Sequence, residues 1–288
     1  MLVVVNPALP RTGPKFGTRL VQFAATLGWD GTLLETRSGL NVEAIGGALA
    51  RGAFDLVLAV GGDGTVAEVM AAAHLRDLPI GIVPRGTGNI VARELKLPAT
   101  WRGATRRVLQ NFPRSRPVDL VRINDTYSAL AAGIGFDATV MRYTPIKLKY
   151  WFGRAAYLLA GVWWLPRTPL FTCTIRADGE ESQVDAVAVL VVNAGMLGAS
   201  AFRFGPGIAL DDGWLDICVY RPRNVQERMS VVWSLLRQRP NGLSVMQRKA
   251  KSVEVKAPDV QWHEVDGDVH RGNVLRAEIV PGAVNVVV

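Results

Sequence analysis

The sequence predicts two domains: an α/β domain with a parallel sheet covered by helices, followed by a mainly β domain folded as a sandwich or rolled-up sheet. Three observations predict this. Short apolar runs alternate with helically periodic stretches up to about residue 115, the order that builds a parallel sheet between helices. Those runs carry no polar alternation, as expected of strands buried on both faces. Beyond 117 the apolar runs follow one another across turn residues such as Asp178-Gly179, with only two long helical patterns between them.

Taken in order, residues 2–5 read as a buried strand, and Phe16, Leu20, Phe23 and Leu27 mark one face of a helix. A short strand at 32–34 precedes a helix marked by Val42, Ile45 and Leu49. Residues 54–60 form a continuous apolar strand, with a helix through 66–73 behind it. A strand at 79–83 is followed by helices from about Asn89 and around 101–109. The second half reads as strands at 118–123, 171–177, 184–192, 215–220, 253–256 and 275–280, with helical patterns at 145–165 and 224–239. The boundary is a change of pattern near 115, not a flexible linker.

At 288 residues the chain suits two cores better than one. It is 49% hydrophobic and 20% charged, which excludes a disordered chain. Glycine (29) and proline (16) are too few for a low-complexity or collagen-like chain. The net charge of +8 suits an anionic partner, whether phosphorylated ligand, anionic lipid or nucleic acid, and equally suits solubility alone. Cys173 and Cys218 each lie in a Val/Ile-rich run and read as buried free thiols without zinc spacing. His74, His263 and His270 are too scattered for a metal cluster. The opening Met1–Val5 lacks a basic leader and meets Asn6-Pro7 early. The longest apolar stretch, 155–165, is shorter than the ~20 residues of a membrane span. The expected location is the cytoplasm.

The chemistry concentrates in two loops. Gly61-Gly62-Asp63-Gly64-Thr65 stands where a buried strand ends and a helix begins. Its glycines permit tight turns and close approach of backbone N–H groups, and the helix N-terminus attracts anions. Asp63 would repel phosphate directly, so a Mg²⁺ ion or a substrate hydroxyl is expected between them. Read structurally, Thr65-x-x-Glu68 is a capping box and the glycines only shape the turn. Pro84-Arg85-Gly86-Thr87-Gly88-Asn89 repeats the logic at the next strand end, with Arg85 to offset phosphate charge and Thr87 to donate a hydroxyl; its plain reading is a βα loop with an Asn cap.

These motifs, with others in chain order, make the sequence resemble the diacylglycerol kinase catalytic-domain family, the bacterial lipid kinases related to sphingosine kinases. Asn6-Pro7 follows the first strand, and Gly-Gly-Asp-Gly-Thr stands at 61–65. Pro-x-Gly-Thr-x-Asn occupies 84–89 and Gly-Phe-Asp 135–137. Ala-x-x-Asp-Gly-x-x-Asp runs from Ala209 to Asp216, and Asp266-Gly267-Asp268 matches the family's Asp-Gly-Glu. Asp266-Gly267 also reads as a plain hairpin turn.

The resemblance implies a nucleotide-binding α/β domain over 1–116, like that of NAD kinases, and a β-sandwich lipid-acceptor domain over 117–281. It implies an active site between them and a last strand, 282–288, that returns to the first domain. By position, Asn6, Thr36, Gly61, Gly62, Asp63, Gly64, Thr65, Val66, Ala67, Glu68, Arg85, Gly86, Thr87 and Asn89 would line the ATP site. Asp268 or Asp63 would be the general base. Asp212, with the carbonyls of Ala209 and Trp214, would hold a structural Mg²⁺. Three positions depart from the family pattern. Leu9-Pro10 replaces Ser-Gly, Ile90 replaces an aspartate, and Asp268 replaces a glutamate, shortening its reach by roughly 1.5 Å.

The implied activity is transfer of the γ-phosphate of ATP to a lipid hydroxyl, with ATP and Mg²⁺ as cofactors, in phospholipid metabolism. Positioning and charge neutralisation would dominate such a reaction. Lys147, Lys149 and Arg154 flank Trp151, Phe152, Tyr157, Trp163 and Trp164, with Arg167 beyond. This stretch reads as a docking element for an anionic membrane surface or as an ordinary buried helix. Family members often dimerise, which makes a homodimer a candidate. Two rival functions stay open: a soluble-substrate kinase such as an NAD kinase, and a non-catalytic nucleotide- or lipid-binding regulator, for which Ile90 and Leu9-Pro10 speak. No nucleic-acid reader motif appears.

Overall fold

The computed structural model describes residues 1–9, 11–36, 41–136, 168–196, 203–224, 226–230, 245–266 and 268–288. The chain divides into two compact units, Met1–Leu120 with Pro281–Val288, and Val121–Val280.

The first unit is a parallel sheet with helices against it. Strands β1 (Leu2–Val5), β2 (Thr32–Glu35), β3 (Val57–Gly61) and β4 (Ile80–Pro84) lie in the order β2-β1-β3-β4. The registers Val5↔Glu35, Val5↔Val60 and Gly61↔Pro84 bring all four carboxyl ends to one edge. β1, β3 and β4 are buried along their whole length, as their unbroken apolar runs require. Helix α1 (Phe16–Ala25) buries Phe16, Leu20 and Ala24, one face at a spacing of four. The Trp101 ring of α5 (Trp101–Asn111) sits edge-on between Phe16 and Phe23, 5.3 Å from each. Helix α2 (Val42–Arg51) packs on α3 (Asp63–His74), which packs in turn on β3. Helix α3 buries nearly every side chain from Thr65 to Ala73, and small alanines let it approach closely on both sides. Helix α4 (Ile90–Glu94) is a short turn after β4.

The second unit is antiparallel. β5 (Ser115–Ile123) leads into it and pairs with β6 (Thr126–Ser128). Strand β10 (Ala188–Val192) lies between β7 (Ala131–Gly135) and β11 (Leu215–Tyr220), and β11 carries β12 (Val245–Ala250) outside it. β13 (Ser252–Val265) pairs with β7, with β8 (Phe171–Ala177) and with β14 (Asp268–Val287), while β8 carries β9 (Glu180–Ala186). Along β10, Val189 and Val191 enter one core cluster with Ile217 and Val255, whereas Ala188, Leu190 and Val192 enter another with Phe204, Ile208 and Cys218. The period of two thus separates two buried faces. Both cysteines are buried free thiols, and burial pushes Cys173 up to about 11 and Cys218 up to about 12.

Four sequence expectations need correction. The run 184–192 is two strands, with Val187 buried at the break, where its N–H donates to Tyr220 O and its carbonyl accepts from Phe136 N. The strands expected at 253–256 and 275–280 are parts of two long strands, because polar residues on an exposed face hide a strand from a hydrophobicity count. β12, exposed along most of its length, had no expected counterpart. Thr65-x-x-Glu68 is not a capping box, since α3 begins at Asp63 with Gly62 as its N-cap. The helical pattern at 145–165 lies outside the described residues, as does most of that at 224–239.

Past Val280, the end of β14 belongs to the first unit. Val286 pairs in parallel with Ile80, Gly282 N donates to Asp119 Oδ1 (2.7 Å), and the Asn111 amide donates to Val288 O. Among the described residues, no helix is long and apolar enough to cross a membrane.

Candidate active site

The carboxyl edge of the first sheet gathers most of the expected site residues. Asn6 leaves β1 in a tight turn, its N–H on Val60 O (3.2 Å) and its Oδ1 accepting from Ala8 N (3.0 Å). Thr36, buried beyond β2, donates to Val5 O from its N–H (2.8 Å) and more weakly from its hydroxyl (3.3 Å). Gly61 and Pro84 end the two neighbouring strands side by side.

The two glycine loops interlock. Gly61 O accepts from Arg85 N (2.7 Å) and Gly86 N (3.2 Å). A Cβ on Gly86 would stand 2.5 Å from the Gly62 Cα, so this contact requires glycine. A Cβ on Gly88 would meet Asp63 Oδ2 at 2.5 Å. Asn89 adopts a left-handed conformation (φ 49°), and its amide closes the second loop on itself, accepting from Gly86 N and donating to Gly86 O at 2.8 Å each. The glycines of the second loop were expected to bring backbone close to a ligand; the N–H groups of Arg85 and Gly86 instead join the loops.

Asp63 provides the other link. Its Oδ1 accepts from Ile90 N (2.5 Å) and Val91 N (3.3 Å), supplying the first turn of α4 with the acceptor it lacks. Burial pushes the Asp63 carboxyl above its ordinary value of 3.8, while the backbone N–H groups of Ile90, Val91 and Asn89 and the Arg93 guanidinium pull it partly back. Ile90, where the family pattern has an aspartate, therefore contributes a backbone donor to this aspartate.

Helix α3 keeps an open N-terminus. No side chain caps it, so its first-turn N–H groups at Asp63, Gly64 and Thr65 have no partner within the helix. Gly64 is exposed and Gly62 half-buried. Val66 and Ala67 point into the core, and Glu68 accepts from Asn41 N (3.3 Å) and Asn41 Nδ2 (3.1 Å), joining α3 to the start of α2. Thr87 is exposed. Arg85 lies over the Phe16 ring, 4.3 Å from its centroid, with its buried Nε unpartnered among the described residues. Burial first, then the nearby Arg11 and Arg19 guanidinia, depress its pKa. Sequence reasoning missed Arg19, whose position on α1 becomes meaningful only once α1 packs beside the loops.

The remaining expected residues lie in the second unit. Asp268 opens β14 opposite Val265. Asp266 turns that hairpin at φ 48°, and its carboxylate accepts from Ser128 Oγ (2.7 Å) and Ala129 N (3.3 Å). Gly267, Asp137, Pro10 and the aromatic–basic stretch at 147–167 lie outside the described residues. Asp212 Oδ1 accepts from Trp214 N (3.0 Å), and its Oδ2 meets Lys249 Nζ at 2.5 Å. Asp216, buried on β11, accepts from the Gln247 amide (2.7 Å), and its burial raises its pKa. No group of three or more acidic, His or Cys side chains that could hold a metal occurs among the described residues.

A parallel sheet with a Gly-Gly-Asp-Gly-Thr turn at its carboxyl edge, continued by a β-sandwich, defines a class of two-part kinases. The diacylglycerol kinase catalytic-domain model matches residues 1–123, and the YegS C-terminal NAD kinase β-sandwich-like model matches 131–288. A Bacillus subtilis diacylglycerol kinase is 31% identical over 231 residues, covering 79% of this chain and 75% of its own. A Synechocystis protein is 30% identical over 236 residues; the match covers 80% of this chain but 54% of that longer relative. A Bacillus anthracis diacylglycerol kinase structure superposes with a TM-score of 0.74 over 99% of this chain and 95% of its own, at 21% identity, a likeness that speaks for the fold. The chain belongs to the diacylglycerol kinase family, with a YegS-type C-terminal domain.

Proposed function

We propose that the chain is a lipid kinase that transfers the γ-phosphate of ATP to a lipid hydroxyl. The observation that carries this reading is the uncapped N-terminus of α3, set between two interlocked glycine loops at the carboxyl edge of the sheet. A nucleotide phosphate placed there meets open N–H donors and the positive end of the helix dipole. Arg85, with Arg11 and Arg19 near it, supplies positive charge without a carboxylate partner among the described residues.

The residues fit a magnesium ion that arrives with the nucleotide. The half-buried Asp63 carboxylate is a charge that a cation would relieve, and the hydrogen bonds from Ile90 N and Val91 N both fall on Oδ1. Bound there, Mg²⁺ would neutralise phosphate charge. Asp63 also holds α4 in place, so its work is positioning, and the proton of the lipid hydroxyl is assigned to Asp268. The +8 net charge suits approach to an anionic membrane surface, where the lipid acceptor resides.

The test is transfer of labelled γ-phosphate from Mg-ATP to a panel of lipids in mixed micelles. Labelled lipid is expected, with Asp268→Ala reducing turnover by a factor of 10²–10⁴ while nucleotide binding by calorimetry persists. Nucleotide binding with no transfer to any lipid would overturn the kinase reading in favour of a regulator.

A further inference from the structure

The loop before β11 contains the position where family resemblance expects a divalent cation, at Asp212 with the carbonyls of Ala209 and Trp214. In the structure its one carboxylate, Asp212, is paired with a lysine, and the loop carbonyls just before Ala209 are served by side chains. The Lys249 ammonium reaches Asp212 Oδ2 at 2.5 Å and also donates to Gly207 O at 3.2 Å. It is one of three side-chain donors serving three consecutive loop carbonyls. Gln247 Nε2 donates to Pro206 O at 3.0 Å, and Arg203 Nη2 donates to Ile208 O at 3.2 Å.

The sequence makes this arrangement possible. Gln247 and Lys249 are two residues apart on β12 and so project from the same face. Cys218 and Asp216 of β11 lie directly opposite them. The Gln247 amide bridges Asp216 Oδ1 (2.7 Å) and the loop, and a Cβ on Gly205 would meet its Oε1 at 2.3 Å. Gathering backbone carbonyls around a positive centre and balancing a carboxylate is what a hard cation does in a loop. Here an ammonium, a guanidinium and an amide do it. A divalent ion bound at Asp212 would meet the Lys249 ammonium at short range, like charge against like.

We propose that this chain holds its 204–214 loop with its own side-chain donors, Lys249 foremost, and requires no divalent metal there. The inference concerns the second unit alone and is tested without ATP or lipid, so it stands or falls separately from the kinase reading. Thermal unfolding of the full chain is measured in millimolar EDTA and in millimolar Mg²⁺, together with its metal content after desalting. The expected result is the same Tm in both, no divalent ion retained at this loop, and a Tm about 2–4 °C lower for Lys249→Met but not for Lys249→Arg. A magnesium-dependent rise in Tm that Asp212→Asn abolishes would overturn the proposal. So would a retained divalent ion that the same substitution releases, or an unchanged Tm in Lys249→Met. Should Lys249→Met not fold, the EDTA–magnesium comparison and the metal content of the unsubstituted chain decide the question alone.

Discussion

Two aspartate-bearing loops, one in each unit, are held by opposite means. Around Asp63 the contacts rest on backbone atoms: Gly86 against Gly62, Arg85 N on Gly61 O, and Ile90 N on the short side chain of Asp63 itself. Around Asp212 the loop carbonyls are taken by long side chains from β12 and from Arg203. The first arrangement has no slack, because a backbone cannot move aside as a side-chain tip can. The second is adjustable, since Lys249 is part-exposed and its head group can be exchanged for another cation. A ligand site gains from the rigid kind, whose remaining N–H groups stay where they are when the ligand leaves. A supporting loop needs only the second.

The comparison can be broken at its rigid end first. Gly86→Ala forces a methyl against the Gly62 backbone and is expected to cost about 2–3 kcal/mol in urea unfolding, and to abolish nucleotide binding by parting the loops. Normal stability and binding would show that the interlock has slack after all. Next in size is Asp63→Ala, which strips the first turn of α4 of its acceptor, for a loss of about 1–2 kcal/mol. Asp63→Asn keeps an oxygen at that point and should lose less than half as much.

The same residue sharpens the comparison through pH. Burial raises the Asp63 pKa in the folded chain, so the native state binds this proton more tightly than the unfolded state. Its contribution to stability is complete below the ordinary value of 3.8 and is lost as pH rises through the raised folded value. Unfolding midpoints of the wild type minus those of Asp63→Asn should therefore fall across that window; a flat difference would mean that Asp63 titrates as an exposed carboxylate does. The smallest effect concerns the adjustable loop. Cys218 lies in the cluster with Phe204 and Ile208 beneath it. With its thiol pushed up to about 12, it should resist alkylation in the native protein and react fully in urea. Rapid native labelling would mean that the loop opens far more often than its donors suggest.

Most of the first unit was legible because β1, β3 and β4 are buried on both faces and therefore stand out as the apolar runs at 2–5, 56–60 and 80–83. The glycine motifs were legible for the same kind of reason, as few other roles place three glycines in four positions. Their partners were not. Asp63 meets Ile90 across 27 residues of sequence, and nothing local to Gly-Gly-Asp-Gly-Thr says that its aspartate caps another helix. Glu68 points the same lesson, reading as a capping partner for Thr65 but bonding to Asn41 instead. β12 escaped notice because an edge strand exposing Met246, Gln247, Arg248 and Lys249 has no hydrophobic signal. Its information lies in the alternation of Gln247 and Lys249, which becomes readable only when the loop they serve is in view.

The end of β14 has a consequence for the order in which the protein is assembled. Most of the first unit precedes the second in the chain, yet its sheet is completed by Pro281–Val288, which pair with Ile80 and hold Asp119 and Asn111. A growing chain reaches those residues only after the whole of 121–280 has been synthesised. Until then the edge of β4 waits without its neighbour, and a fragment ending at Leu120 lacks a strand of its own sheet. Of the two units, the one whose synthesis starts earlier is thus the later to be finished, and the strand that finishes it is the direct continuation of one that the second unit has already paired.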